Sequence, residues 1–145
     1  LDRKFKLQKI LEYRERVFEL EKQKLANLQN RLKDYQYKRE ALSNEIESKR
    51  SELDNLKSHG DFRFLLLGEK YLEKLMQMLQ TLNKMIEDTK KDIEKQKSVV
   101  INAMNDVKIM EKLKEKHNLN YLAYLKKEEM KLIDELVITR RGDES

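Results

Sequence analysis

Ser58-His59-Gly60-Asp61, followed by Phe62-Arg63-Phe64, is the only place in this 145-residue chain where a turn-forming cluster falls between two periodic segments. Its reading decides between one continuous helix and two helices folded back on each other. Gly60 can take positive φ at the end of a first helix, and Ser58 or Asp61 can cap an end. The turn sits before the midpoint, so the second arm is the longer one. Phe62 and Phe64, with Leu65-Leu66-Leu67, are expected to plug the closed end of a hairpin, and a partner contact at the tip is the sharper alternative.

Outward from the turn, both arms carry a heptad seam. Steps of alternating four and three from Leu7 reach Leu56 through Leu11, Phe18, Leu25, Leu28, Leu32, Tyr35, Leu42, Ile46 and Leu53, so eleven of fifteen positions are apolar. Arg14, Glu21, Arg39 and Lys49 interrupt it, and their long side chains are expected to snorkel from the seam. The same walk from Leu65 to Lys114 is apolar at eleven of fifteen positions, with Gly68, Thr89 and Gln96 among the exceptions. No strand has this period. Pairs such as Glu12–Arg16, Glu45–Lys49 and Glu87–Lys91 have the order that supports a helix, at about 0.3 kcal/mol each.

Composition agrees. The chain is 39% hydrophobic and 41% charged, with three glycines and no proline, cysteine or tryptophan. Sandwiches and barrels need many tight turns and are disfavoured, as are doubly wound α/β folds. Disorder is the rival, but the apolar residues are large and regularly spaced. The expected fold is all-α: one domain over 1–145, a long antiparallel two-helix coiled-coil hairpin with an over-long C-terminal helix. Helix 1 is placed at about 4–57, the turn at 58–63 and helix 2 at about 64–138.

Length arithmetic leaves a remainder. At 1.5 Å per residue the arms are roughly 80 and 110 Å long, and residues pair across an in-register hairpin when their numbers sum to about 120. The last twenty-odd residues, about 119–138, then have no partner within the chain. The text His117-Asn118-Leu119-Asn120 also looks like a break in the seam there. Yet Leu122, Leu125, Leu132 and Leu136 form a stripe, widened by Ile133, Val137, Tyr121 and Tyr124. An exposed stripe of this kind marks a binding surface.

Charge has a pattern too. The net +5 is spread along the chain, compatible with a nucleic acid, an anionic membrane surface or an acidic protein groove. Residues 1–16 hold six basic against three acidic residues, and residues 108–127 six lysines against two glutamates. A hairpin brings these together as a basic open end. Residues 128–145 turn acidic again, at net −3.

Catalytic and metal chemistry finds little here. His59 and His117 are the only histidines, expected at opposite hairpin ends, and no thiolate exists. No phosphate-binding loop, dinucleotide fingerprint or zinc-protease motif occurs, so no enzyme, metal or cofactor is expected. A basic zipper would need a dense basic helix, whereas lysines alternate with glutamates here, so no nucleic acid is expected as partner. The longest wholly apolar run is Leu65-Leu66-Leu67, so no integral membrane segment is expected. No secretory leader is expected, and the lack of cysteine fits a reducing compartment.

The opening Phe5-Lys6-Leu7-Gln8-Lys9-Ile10-Leu11-Glu12-Tyr13-Arg14 resembles the start of the flagellar export protein FliJ family. The ending Glu128-Glu129-Met130-Lys131-Leu132-Ile133-Asp134-Glu135-Leu136 resembles that family's end, and length and organisation match over essentially the whole chain. The resemblance implies a cytoplasmic, central-stalk-like coiled coil of the type III export apparatus, peripheral at the cytoplasmic face of the inner membrane. Its implied partners are the hexameric export ATPase, the cytoplasmic domain of the membrane export gate, and export chaperones that it escorts.

On that picture Leu122, Leu125, Leu132 and Leu136, with Arg14, Arg16, Lys126, Lys127 and Lys131, are the ATPase contacts. Met78-Leu79-Gln80-Thr81-Leu82-Asn83-Lys84-Met85-Ile86 resembles the family segment around the gate-binding surface, implying Met78, Leu82 and Met85 as gate contacts. Asp34-Tyr35-Gln36 resembles the matching part of the first helix and implies Leu28, Leu32 and Tyr35. Arg39 stands where some members carry an aromatic. A stalk-like protein of a virulence secretion system is the near alternative. A nucleic-acid-binding or homotypic coiled-coil scaffold is the distant one.

Overall fold

The described residues form two helices: α1 is Gln8–Ser58 and α2 is Leu65–Glu144. The computed structural model describes residues 2–144, so Leu1 and Ser145 of the expected domain lie outside the described residues. The helices pack antiparallel, an all-α coiled-coil hairpin. Contacts divide the chain into two compact units. Leu1–Leu20 with Ile101–Ser145 form the terminal unit, and Glu21–Val100 forms the turn unit.

In the turn unit, α1 ends in a Schellman closure. The Asp61 amide donates to the Leu56 carbonyl (3.0 Å) and the Gly60 amide to Lys57 (3.2 Å), with Gly60 at φ 72°. Asp61 Oδ1 then accepts from the Arg63 amide at 3.3 Å, leading the chain into α2. The expected plug does not form. Phe62, Phe64, Leu66 and Leu67 are all exposed, and only Leu65 is half-buried. The closed end is filled from below instead: a Cβ on Gly68 would lie 2.5 Å from Leu53 Cδ2, so the missing side chain is what lets Leu53 in.

Below it, Leu42, Ile46 and Leu75 form a core flanked by Leu72, Leu79 and Leu82, and Ile86 is wholly buried. Thr89 is also buried, and its hydroxyl donates to the Met85 carbonyl at 2.7 Å. Glu21 and Gln96 make a polar layer in the seam. The Gln96 amide donates to Glu21 Oε2 (2.6 Å) and to the Glu21 carbonyl (3.0 Å). These bonds, with Lys24, hold the Glu21 carboxyl below the usual carboxylate range.

In the terminal unit, Leu11, Val107 and Met110 are buried, with Phe5 and Phe18 packed on them. α1 starts four residues later than its periodicity implies, because residues 2–7 form a turned lead-in. Asp2 Oδ1 accepts from the Lys4 amide (3.1 Å), and the Gln8 amide donates to the Phe5 carbonyl (3.1 Å). The seam also runs on where a break was expected. After Met110 it continues in steps of four, three and four through Lys114, His117 and Tyr121, all half-buried. His117 Nε2 lies 3.3 Å from the Arg3 carbonyl and its ring 5.7 Å from that of Phe5. Polar and aromatic residues hold seam positions that leucine fills elsewhere.

Helix-supporting ion pairs take other partners than expected. Lys49 reaches Glu52 (3.4 Å) and lies over the Tyr71 ring, and Glu87 pairs with Lys90 (3.4 Å). Glu45 instead accepts from the Tyr71 hydroxyl at 2.6 Å, which pushes that phenol's pKa up. At Glu45 a contact across the helices stands in place of pairing along one.

Candidate partner-binding surfaces

Each unit presents an apolar surface that its own core leaves uncovered and that holds residues implied as partner contacts. In the turn unit it is a groove of about 760 Å³ between the helices. α1 contributes Tyr35, Lys38, Ala41, Leu42 and Glu45, and α2 contributes Lys74, Gln77, Met78, Thr81, Leu82 and Met85. The coiled-coil geometry explains the membership. Lys38, Ala41, Glu45, Lys74, Met78, Thr81 and Met85 each immediately precede a seam residue, so they flank the seam on one side of both helices.

Four of the six residues implied as gate contacts meet here: Tyr35, Met78, Leu82 and Met85. Met78 and Met85 are exposed, whereas Tyr35 and Leu82 are half-buried at the groove floor. Unbranched thioethers that adapt to irregular surfaces are suited to such a place. Leu28 and Leu32 are half-buried seam residues and do not line it. Lys38, Glu45, Lys74 and Gln77 line the groove without having been singled out from the sequence. For Lys38, Glu45 and Lys74 the signal is position beside the seam, whereas Gln77 stands two residues from the seam on either side.

In the terminal unit the surface is α2 itself. Every residue from Leu122 to Gly142 is exposed. Leu122 and Leu125 edge a shallow hollow of about 480 Å³ with Arg3, Asn118 and Tyr121. Leu132 and Leu136 are exposed further along, with Ile133 and Val137 beside them. Lys131 pairs with Glu128 at 3.5 Å, and Arg16, Lys126 and Lys127 are exposed. Arg14 differs: it is half-buried and its guanidinium donates to the Asp106 carbonyl at 3.2 Å, so it is engaged within the unit.

Among the described residues no three His, Asp or Glu side chains gather as a metal site requires, and no helix is long and apolar enough to cross a membrane. Two long antiparallel helices with apolar surfaces outside their shared seam define a coiled-coil hairpin. The family model described as "Flagellar FliJ protein" matches residues 3–142, and the chain belongs to that family. It is accordingly a non-enzymatic protein of flagellar export. No curated protein and no solved structure matches the chain.

Proposed function

We propose that the chain is the central-stalk-like coiled coil of a type III export apparatus, binding the hexameric export ATPase through α2 beyond Tyr121 and the export gate through the groove of the turn unit. The observation that carries this is the run of exposure from Leu122 to Gly142, in a helix whose apolar stripe is as dense as that of its buried part. Leu122, Leu125, Leu132 and Leu136 are the binding residues. Burying them removes several hundred square ångströms from water, worth several kcal/mol at ~25 cal/mol per Å² before ordering costs. Those costs are small because the helix is already formed. Arg16, Lys126, Lys127 and Lys131 steer the encounter with acidic loops of the ring more than they tighten it.

In the groove, Tyr35, Met78, Leu82 and Met85 supply the apolar contact for the gate's cytoplasmic domain. Localisation follows from these partners: the cytoplasm, peripheral to the inner membrane. Titrating the purified chain into the flagellar ATPase, while following ring assembly and hydrolysis, tests the ATPase arm. Stimulation that saturates supports it. Absence of binding and of any change in hydrolysis at saturating chain rejects it.

A further inference from the structure

Heptad positions written a to g, with the seam at a and d, expose a second pattern in the terminal unit. The turn unit shows how the flanks meet. Arg50 and Met76 touch with both at e, Lys57 and Glu69 pair with both at e, and Tyr71 donates to Glu45 with both at g. Like positions therefore face each other across the seam. By the same register, the g flank of the terminal unit joins Ile10 and Val17 of α1 to Leu113 of α2, with Tyr13, Leu20 and Ile109 at the adjoining c positions. Five of these six are exposed by 42 to 60%, and Val17 is half-buried. Ile10, Tyr13, Val17 and Leu20 recur in steps of three, four and three, the spacing of a seam for another helix.

The charges of this unit are sorted by flank. Lys9, Arg16, Lys112 and Lys116 stand at f and c around the apolar face, with Asp106 the one carboxylate on that side. Glu12, Glu15, Glu19, Glu111 and Glu115 all lie at b and e on the other side, with Lys108. A face of this kind fits an amphipathic helix bordered by carboxylates. The chain carries one. Residues 128–138 hold Glu128, Glu129, Asp134 and Glu135 against Lys131 alone, beside the exposed Leu132, Ile133, Leu136 and Val137.

That helix cannot reach the face of its own chain, because α2 runs without interruption to Glu144. We infer that two copies associate reciprocally, the acidic helix 128–138 of each seated on the basic apolar face of the other. An antiparallel overlap about a twofold axis near Tyr121 sets residues 128–138 of each copy beside the paired part of α2 in the other. A twofold axis makes the contact twice. Two such contacts double the apolar area that one helix buries, towards the size that stable interfaces have. This deepens the ATPase reading, since the dimer covers the helix assigned to the ATPase and a ring must displace the second copy to reach it.

Charge reversal in the full-length chain tests the inference without any ATPase. The face-reversed chain carries K9E, R16E and K112E, and the helix-reversed chain carries E128K, D134K and E135K. All six sites are exposed, so circular dichroism should be unchanged. Sedimentation velocity is expected to give twice the monomer mass for the natural chain at about 50 mM salt, falling towards monomer near 0.5 M as the rim charges are screened. Each reversed chain alone is expected to be monomeric. Their equimolar mixture is expected to dimerise, because both contacts are then between opposite charges. A monomer at all concentrations, a dimer indifferent to the reversals, or a mixture that stays monomeric overturns the inference. The first two outcomes leave stimulation of the ATPase untouched, so the two readings fail separately.

Discussion

Residues 101–121 and 122–142 of α2 are consecutive, equal in length and alike in composition, with nine and ten hydrophobic residues respectively. In the first, Ala103, Val107 and Met110 are buried and Lys114, His117 and Tyr121 half-buried, while in the second nothing is. Hydrophobic content alone therefore does not decide burial; the presence of α1 opposite does. The first stretch spends its apolar side chains on the fold. The second keeps a similar complement in water, the exposure that marks interaction surfaces.

Changes that break the paired stretch should have the largest effect on stability. Leu11→Ala leaves a cavity against Val107 and Met110, and we expect a loss of about 2–5 kcal/mol by chemical denaturation. Gly68→Ala comes next. Its Cβ meets Leu53 Cδ2, and overpacking of this kind costs about 1–3 kcal/mol, readable as a lowered melting temperature. In the groove, Met78→Glu changes an exposed residue, so melting should stay within about 0.5 kcal/mol of the natural chain, while gate binding measured by calorimetry weakens at least tenfold.

The smallest effect concerns the polar layer. Folding holds the Glu21 carboxyl below its ordinary range, so its contribution is present at neutral pH and fades as pH falls through the folded-state value. Gln96→Leu removes the main cause. The acid-side decline in melting temperature should then be shallower than in the natural chain, by about a degree or two at most.

The hairpin was legible because its determinants are local and periodic. Gly60 and the 4–3 steps from Leu11 to Leu56 need no knowledge of the partner helix. His117 and Tyr121 were not legible as seam residues, since their burial depends on Phe5 and the Arg3 carbonyl arriving from the far end of the chain. The plug expected at the tip fails for a similar reason. Phe62 and Phe64 read as a plug until Leu53 is seen to occupy the space that Gly68 leaves. At the surfaces, Met78, Leu82 and Met85 could be named from resemblance, whereas Lys38, Glu45 and Lys74 became visible only when both helices were set side by side.

Replacing Leu125 and Leu132 together by Asp separates the two stretches most directly. Both residues are exposed, so the account predicts an unchanged helical signal and melting temperature alongside complete loss of ATPase stimulation. A double variant that melts far lower yet still stimulates the ATPase would make the stretch beyond Tyr121 a structural piece and contradict the account.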